Sequence, residues 1–249
     1  MREKIPEDFY FSQLALKMFA QCPLKFRYRY LDQLYWPRGE GDREQQQILE
    51  KGNRFHRLAR NYYDRGVLTA EHLLDKQLQK WWQRLKEFCP YEQPGEFFPE
   101  FELRLNSCQY RLLAKYDLIV INEEQGEVVI YDWKTNKRPI KQEKMVDDLQ
   151  TMVYLLVLVR AVNRYFRLNG EIKPDDMKII YWNPRFPGEK VAINCSEQKS
   201  AVYAEQIEKI IHRIKKMSYQ QFAELKNNLS CDFCQYFNLC REEESDAND

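Results

Sequence analysis

Apolar and polar positions change period several times along this chain, and the changes divide it into elements. Phe9 to Tyr35 carries apolar residues at helical spacing with a break near Pro23, which predicts two helices rich in Phe, Tyr and Arg. Gln45 to Tyr63 places Ile48, Leu49, Phe55 and Leu58 on one helical face, and Ala70 to Phe88 predicts a further helix ended by Pro90. The pattern then alternates. Phe97–Leu105, Gln109–Ile121 and Glu127–Lys134 read as a three-strand meander, with Gln125-Gly126 turning between the last two. Met145 to Phe166 is a strongly apolar helix. Met177–Trp182 and Lys190–Asn194 read as strands, and Ser196 to Met217 as an amphipathic helix. Helices, a meander, a helix, two strands and a helix predict an α/β sandwich with a mixed central sheet flanked by helices.

Composition narrows the class. Apolar residues at 44% of 249 support a core, and charged residues at 31% suit a soluble protein. The net charge of +1 hides local asymmetry. Lys17, Lys25, Arg27, Arg29 and Arg38 face only Asp32 in the N-terminal stretch. Lys134, Lys137, Arg138, Lys141 and Lys144 crowd one loop, and Glu242 to Asp249 forms an acidic segment expected as a disordered tail behind a single domain over 9–241. No run approaches the ~18 apolar residues of a membrane helix, and Met1 to Glu7 has no apolar signal core. A cytoplasmic location without membrane attachment is the expectation, so the seven cysteines are not expected to form a disulfide framework. No glycine belongs to a GxxxxGK[ST] loop, which removes a nucleotide-driven motor from consideration.

Chemistry concentrates in Tyr131-Asp132-Trp133-Lys134-Thr135, after the apolar run Val128-Val129-Ile130. On a strand, Asp132 and Lys134 share a face while Trp133 packs behind. Asp117 ends the preceding strand pattern, and antiparallel pairing can bring both acids to one end of the sheet. Two acids and a lysine suit metal-dependent phosphodiester hydrolysis, although a lone DxK is a common decoration of exposed strands. His56, in Gly52-Asn53-Arg54-Phe55-His56, is either a packing residue or a third ligand. Gln150 and Tyr154 share a face of the apolar helix, as decoration or as contacts to nucleic acid. Cys231-Asp232-Phe233-Cys234 and Cys240 gather three sulfurs in one short loop. Cys22, at a helix break, is the best candidate for a fourth, while Cys89, Cys108 and Cys195 read as ordinary thiols. On spacing, four thiolates suit zinc as well as an iron–sulfur cluster.

The ordered set resembles a known family. Cys22-Pro23-Leu24-Lys25-Phe26-Arg27-Tyr28, Gly52 with His56, Asp117, Asp132 with Lys134 and Thr135, Gln150 with Tyr154, and the CxxCx5C loop are similar to the RecB-like branch of the PD-(D/E)XK nucleases. The nearest resemblance is to its iron–sulfur members, the AddB-type nuclease domain and the CRISPR-associated exonuclease family. This implies a restriction-endonuclease-like core and a DNA nuclease, acting as an exonuclease on single-stranded ends in repair or in CRISPR adaptation. The resemblance implies Mg²⁺ or Mn²⁺ on His56, Asp117, Asp132 and the Trp133 backbone carbonyl, with Asp117, Asp132 and Lys134 catalytic. It implies a [4Fe–4S] cluster on Cys22, Cys231, Cys234 and Cys240, and DNA engagement by Gln150 and Tyr154. Glu100 matches a further acidic position or is a solvent-facing acid. Ala114 and Asn136 stand where the family commonly has glycine. DNA, a helicase and CRISPR adaptation proteins are the implied partners. The rival reading is a catalytically silent nuclease-fold subunit that binds DNA or assembles with a helicase.

Overall fold

The computed structural model describes residues 4–35, 43–65, 75–166, 168, 170–225, 231 and 234–246, with the backbone alone at 43–45 and 242–246. The chain opens with strand β1 (Tyr10–Ser12), then α1 (Gln13–Gln21), α2 (Pro23–Phe26) and a π-helical turn over Arg27–Leu31. The expected helix from Phe9 is therefore shortened. The Ser12 hydroxyl accepts from the Ala15 amide, and this N-cap fixes the helix start at Gln13, leaving Tyr10–Ser12 free to pair with a later strand. Two helices follow, α3 (Arg43–Arg65) and α4 (Lys76–Phe88). Asp75 caps the Gln77 and Leu78 amides and sets the start of α4, while the earlier part of its expected span, 70–74, lies outside the described residues.

The meander differs from its expected form. Each of its first two strands is divided, giving β2 (Glu96–Pro99) and β3 (Glu102–Asn106), then β4 (Arg111–Lys115) and β5 (Leu118–Asn122), followed by β6 (Glu127–Trp133). β1, β4 and β3 form one sheet, and β2, β5 and β6 start another. The hairpin bends from the first sheet into the second without losing its ladder. At the corner the Glu100 amide donates to the Asp117 carbonyl (3.0 Å) and the Tyr116 amide to the Phe101 carbonyl (2.9 Å). Glu100 takes a left-handed conformation there, with φ of 51°. This conformation is uncommon outside glycine and is associated with turns and functional sites. Gly126, at φ 63°, closes the turn expected between β5 and β6.

After β6 come α5 (Gln142–Val146), α6 (Leu149–Tyr165), β7 (Met177–Trp182), β8 (Lys190–Asn194), α7 (Glu197–Lys216), α8 (Gln221–Glu224) and α9 (Phe237–Asp246). The helix expected from Met145 is split because Asp148 caps the Gln150 amide (2.7 Å) and starts α6 afresh. β7 pairs parallel to β6, a connection that requires a crossover, and α6 supplies it. The second sheet runs β2-β5-β6-β7-β8.

Period-2 alternation decides which layer covers which face. Ile119, Ile121, Val128, Ile130 and Ile179 face α6 and α7. Leu118, Val120, Trp133 and Trp182 face α3 and α4, among Phe55, Tyr62, Tyr63, Trp81 and Trp82. The result is the expected α/β architecture, a mixed sheet between helical layers. A third cluster joins the chain ends around Leu24, Tyr28 and Tyr236. Among the described residues, no helix is long and apolar enough to cross a membrane.

Candidate metal centre and active site

The bent hairpin, α3 and the end of β6 meet at one place. Asp117, at the corner, is held from two sides. Its Oδ1 lies 3.1 Å from His56 Nδ1 on α3, and its Oδ2 accepts from the Trp133 amide at 2.7 Å. The approach of α3 depends on Gly52, one helical turn before His56. A Cβ at Gly52 would lie 2.6 Å from Thr135 Oγ1, closer than side chains pack. Glu100 completes a triad with His56 and Asp117. One ligand-type atom from each residue falls within 4.8 Å of the others. Lys115 Nζ sits 2.7 Å from Glu100 Oε2, on the more exposed side of this group.

Beside the triad stands a second constellation. Asp132 on β6 and Lys134 just past its end project to one side, as the strand period predicts, and Lys134 Nζ lies 2.6 Å from Asp132 Oδ1. Gln150, on the first turn of α6, ties the two together. Its Nε2 donates to Asp132 Oδ2 (2.6 Å) and its Oε1 accepts from Lys134 Nζ (2.8 Å). A carboxylate only accepts and an ammonium only donates, so this network fixes the orientation of the Gln150 amide. Lys134 Nζ also lies 5.2 Å from the Tyr181 ring, across the register pair Asp132–Tyr181. The Tyr181 hydroxyl is in turn held 2.8 Å from Thr151 Oγ1.

Electrostatics follow from burial. Burial pushes the Asp132 carboxyl up, the Lys134 charge opposes this, and the balance stays above the ordinary carboxylate range. Burial pulls Lys134 down, but the Asp132 carboxylate outweighs it and leaves the ammonium more firmly protonated. At His56, burial again favours the neutral form, and the adjoining Asp117 carboxylate overcomes it, so its pKa is raised.

These residues fit a hard divalent cation. Asp132 Oδ1 is buried and accepts no hydrogen bond of good geometry despite its ionic neighbour, which leaves a lone pair without a directed donor. Three further ligand-type groups stand together at the corner, and oxygen donors with one imidazole suit Mg²⁺ or Mn²⁺.

Gln150 and Tyr154 both turn inward. Gln150 bridges the Asp132–Lys134 pair, and the Tyr154 hydroxyl donates to the Lys115 carbonyl at 2.6 Å. Cys22, Cys234 and Cys240 pack against the Leu24–Tyr28–Tyr236 cluster, and Cys231 is half-buried nearby in sequence. Sequence reasoning missed Lys115 and Tyr181. Lys115 carries a period-2 signal, two residues before Asp117 on the same strand path. Tyr181 has none, since its place beneath Lys134 arises only from the β6–β7 register.

No curated protein matches the chain. A crystal structure at 2.19 Å of a Eubacterium rectale protein, provisionally described as an exonuclease, is similar with a TM-score of 0.56. The two are 16% identical, over 94% of this chain and 87% of that one. The crystal structure of SSO0001 shows a TM-score of 0.42 at 14% identity, over 95% of this chain and 87% of that one. The first likeness speaks for the fold. The family itself is shown by sequence: a model of the PD-(D/E)XK nuclease superfamily matches residues 10–241, and the chain belongs to that superfamily.

Proposed function

We propose that this protein is a divalent-metal-dependent deoxyribonuclease that hydrolyses phosphodiester bonds, working as an exonuclease on single-stranded ends. The observation that carries the reading is the Asp132–Lys134–Gln150 triangle set beside the His56–Glu100–Asp117 triad. His56, Asp117, Asp132 and the Trp133 carbonyl hold Mg²⁺ or Mn²⁺, and Glu100 joins them. When bound, the ion supplies a water of lowered pKa and neutralises charge on the scissile phosphate. Lys134, kept protonated by Asp132, orients the attacking water and stabilises charge that builds on the phosphate oxygens. Gln150 holds Lys134 and Asp132 in register, so its role is positioning, with DNA engagement indirect.

The experiment compares the wild type with Asp132→Ala on end-labelled single-stranded DNA in Mg²⁺ or Mn²⁺. Cleavage should fall by a factor of about a hundred or more in a variant of native far-UV circular dichroism. Full activity in that variant would sink the mechanism. A folded wild type that binds DNA and never cuts it would point instead to the silent-subunit reading.

Cys22, Cys231, Cys234 and Cys240 are proposed to hold a [4Fe–4S] cluster, as in the iron–sulfur branch of the family. Support comes from three of these residues sharing one small core that joins the chain ends. Zinc is the competing occupant. Anaerobic purification followed by iron, sulfide and zinc analysis separates the two. A colourless protein with stoichiometric zinc would overturn the cluster.

A further inference from the structure

The loop between β7 and β8 presses on the segment that follows the catalytic lysine. Asn183, 1% exposed, donates through Nδ2 to the Asn136 carbonyl at 2.9 Å. Its Oδ1 accepts from the Arg185 amide at 2.9 Å, and its carbonyl accepts from the Phe186 amide at 2.9 Å. Arg84 on α4 donates to the Pro184 carbonyl (2.6 Å), and Trp182 Nε1 donates to the Pro187 carbonyl (3.2 Å). This loop is fastened at both ends and in the middle.

Arg185 projects from it. Its Nε donates to the Thr135 carbonyl at 2.9 Å, one residue beyond Lys134, and its guanidinium lies 4.7 Å from the Trp81 ring centroid. A planar guanidinium held by its Nε and by an aromatic face has little rotamer freedom left to lose. Its terminal amino groups have no carboxylate or carbonyl partner among the described residues. A half-buried arginine that is fixed in orientation but not neutralised matches the fork that grips a phosphate through two parallel N–H groups.

We infer that Arg185 is a pre-oriented phosphate-binding residue, gripping the DNA backbone beside the scissile linkage. This rests on the nuclease reading above. It adds a substrate contact from the β7–β8 loop, which none of the residues proposed above for the metal or the chemistry supplies.

The test measures binding of a fluorescein-labelled single-stranded oligonucleotide in Mg²⁺ across a salt series, in an Asp132→Asn background that suppresses cleavage. Arg185→Ala should weaken binding about tenfold. It should also flatten the plot of log Kd against log salt by about 0.7, the contribution of one phosphate contact on a single strand. Arg185→Lys should keep the slope and recover part of the affinity, since it retains the charge and loses the fork. If the alanine variant unfolds, Arg185→Gln removes the charge and leaves a donor for the Thr135 carbonyl. An unchanged slope and Kd in a folded variant would overturn the inference alone. So would unaltered DNA affinity together with a fall in kcat when Arg185→Ala is assayed with Asp132 intact, which marks a role confined to holding Thr135. Failure of the parent to bind DNA at all would overturn the nuclease reading together with this one.

Discussion

Lys115 occupies an ambiguous place at the triad. It offers an ammonium 2.7 Å from a carboxylate that a cation in the proposed site would also use. Two positive charges cannot share Glu100 at full strength, so on the proposed site Lys115 would compete with the metal. Because the lysine side chain is 57% exposed, solvent screens the effect. Lys115→Ala should therefore tighten Mn²⁺ binding by about two- to fivefold in low salt, with the gain shrinking as salt is added. Titration calorimetry checks this, and weaker binding in the variant would show that Lys115 supports the site. The neighbouring contacts show how far sequence reaches at this scale. Asp132 and Lys134 could be paired from strand period alone. The clamp that Gln150 places on them needed α6 to return over the sheet, and the position of Tyr181 needed the register of β7.

Contact between α3 and the end of β6 sets the position of His56. Replacing an interior helical glycine with alanine ordinarily stabilises a helix by about 0.5–1 kcal/mol. At Gly52 the new methyl meets Thr135 Oγ1 at 2.6 Å, so the Thr135 side chain must turn away or one element must yield. Gly52→Ala should reverse the usual sign, costing about 1 kcal/mol, and should weaken Mn²⁺ binding as His56 moves from Asp117. A rise in Tm with unchanged metal affinity would show that the approach is looser than the geometry indicates. Gly52 and His56 read together as a motif in the sequence, but the reason for the glycine lies on another element. The same is true of the hairpin corner. Apolar alternation continues through Phe97–Leu105 and Gln109–Ile121, so the pattern predicts long strands and contains no mark of the bend. β1 was hidden for a similar reason, since three residues of strand before a well-capped helix leave too little period to detect.

For the molecule as a whole, the aromatic layer between the sheet and α3–α4 carries a pH dependence. Burial pushes the Cys89 thiol up to about 11, and Tyr63, whose hydroxyl donates to the Cys89 carbonyl at 2.7 Å, is raised further by its own burial. Groups whose folded pKa is raised bind their protons more tightly in the native state. Their contribution is complete below the unfolded value, and it is lost as pH rises through the folded one. For Cys89 the loss runs from about pH 9 to about pH 11 and amounts to about 3 kcal/mol. Urea titrations from pH 8 to pH 11 should show it, with a shallower slope in Cys89→Ala. A flat profile over that range would mean that the thiol ionises without resistance. Charge counting misses this effect, because neutral thiols and phenols do not enter a net charge at pH 7. The layered architecture was readable from the order of elements, whereas the joining of the chain ends around Tyr28 and Tyr236 required the folded chain.

The bend at Glu100 and Asp117 has a mechanical consequence. Two sheets share a single hairpin, and two of the proposed ligands, Glu100 and Asp117, stand at its crease. The angle between the sheets thus bears on where these two acids stand relative to His56 and Asp132. A cation bound at the proposed site would act as a clasp on the crease. Anything that flexes one sheet against the other is felt first as a change in how well the ion fits.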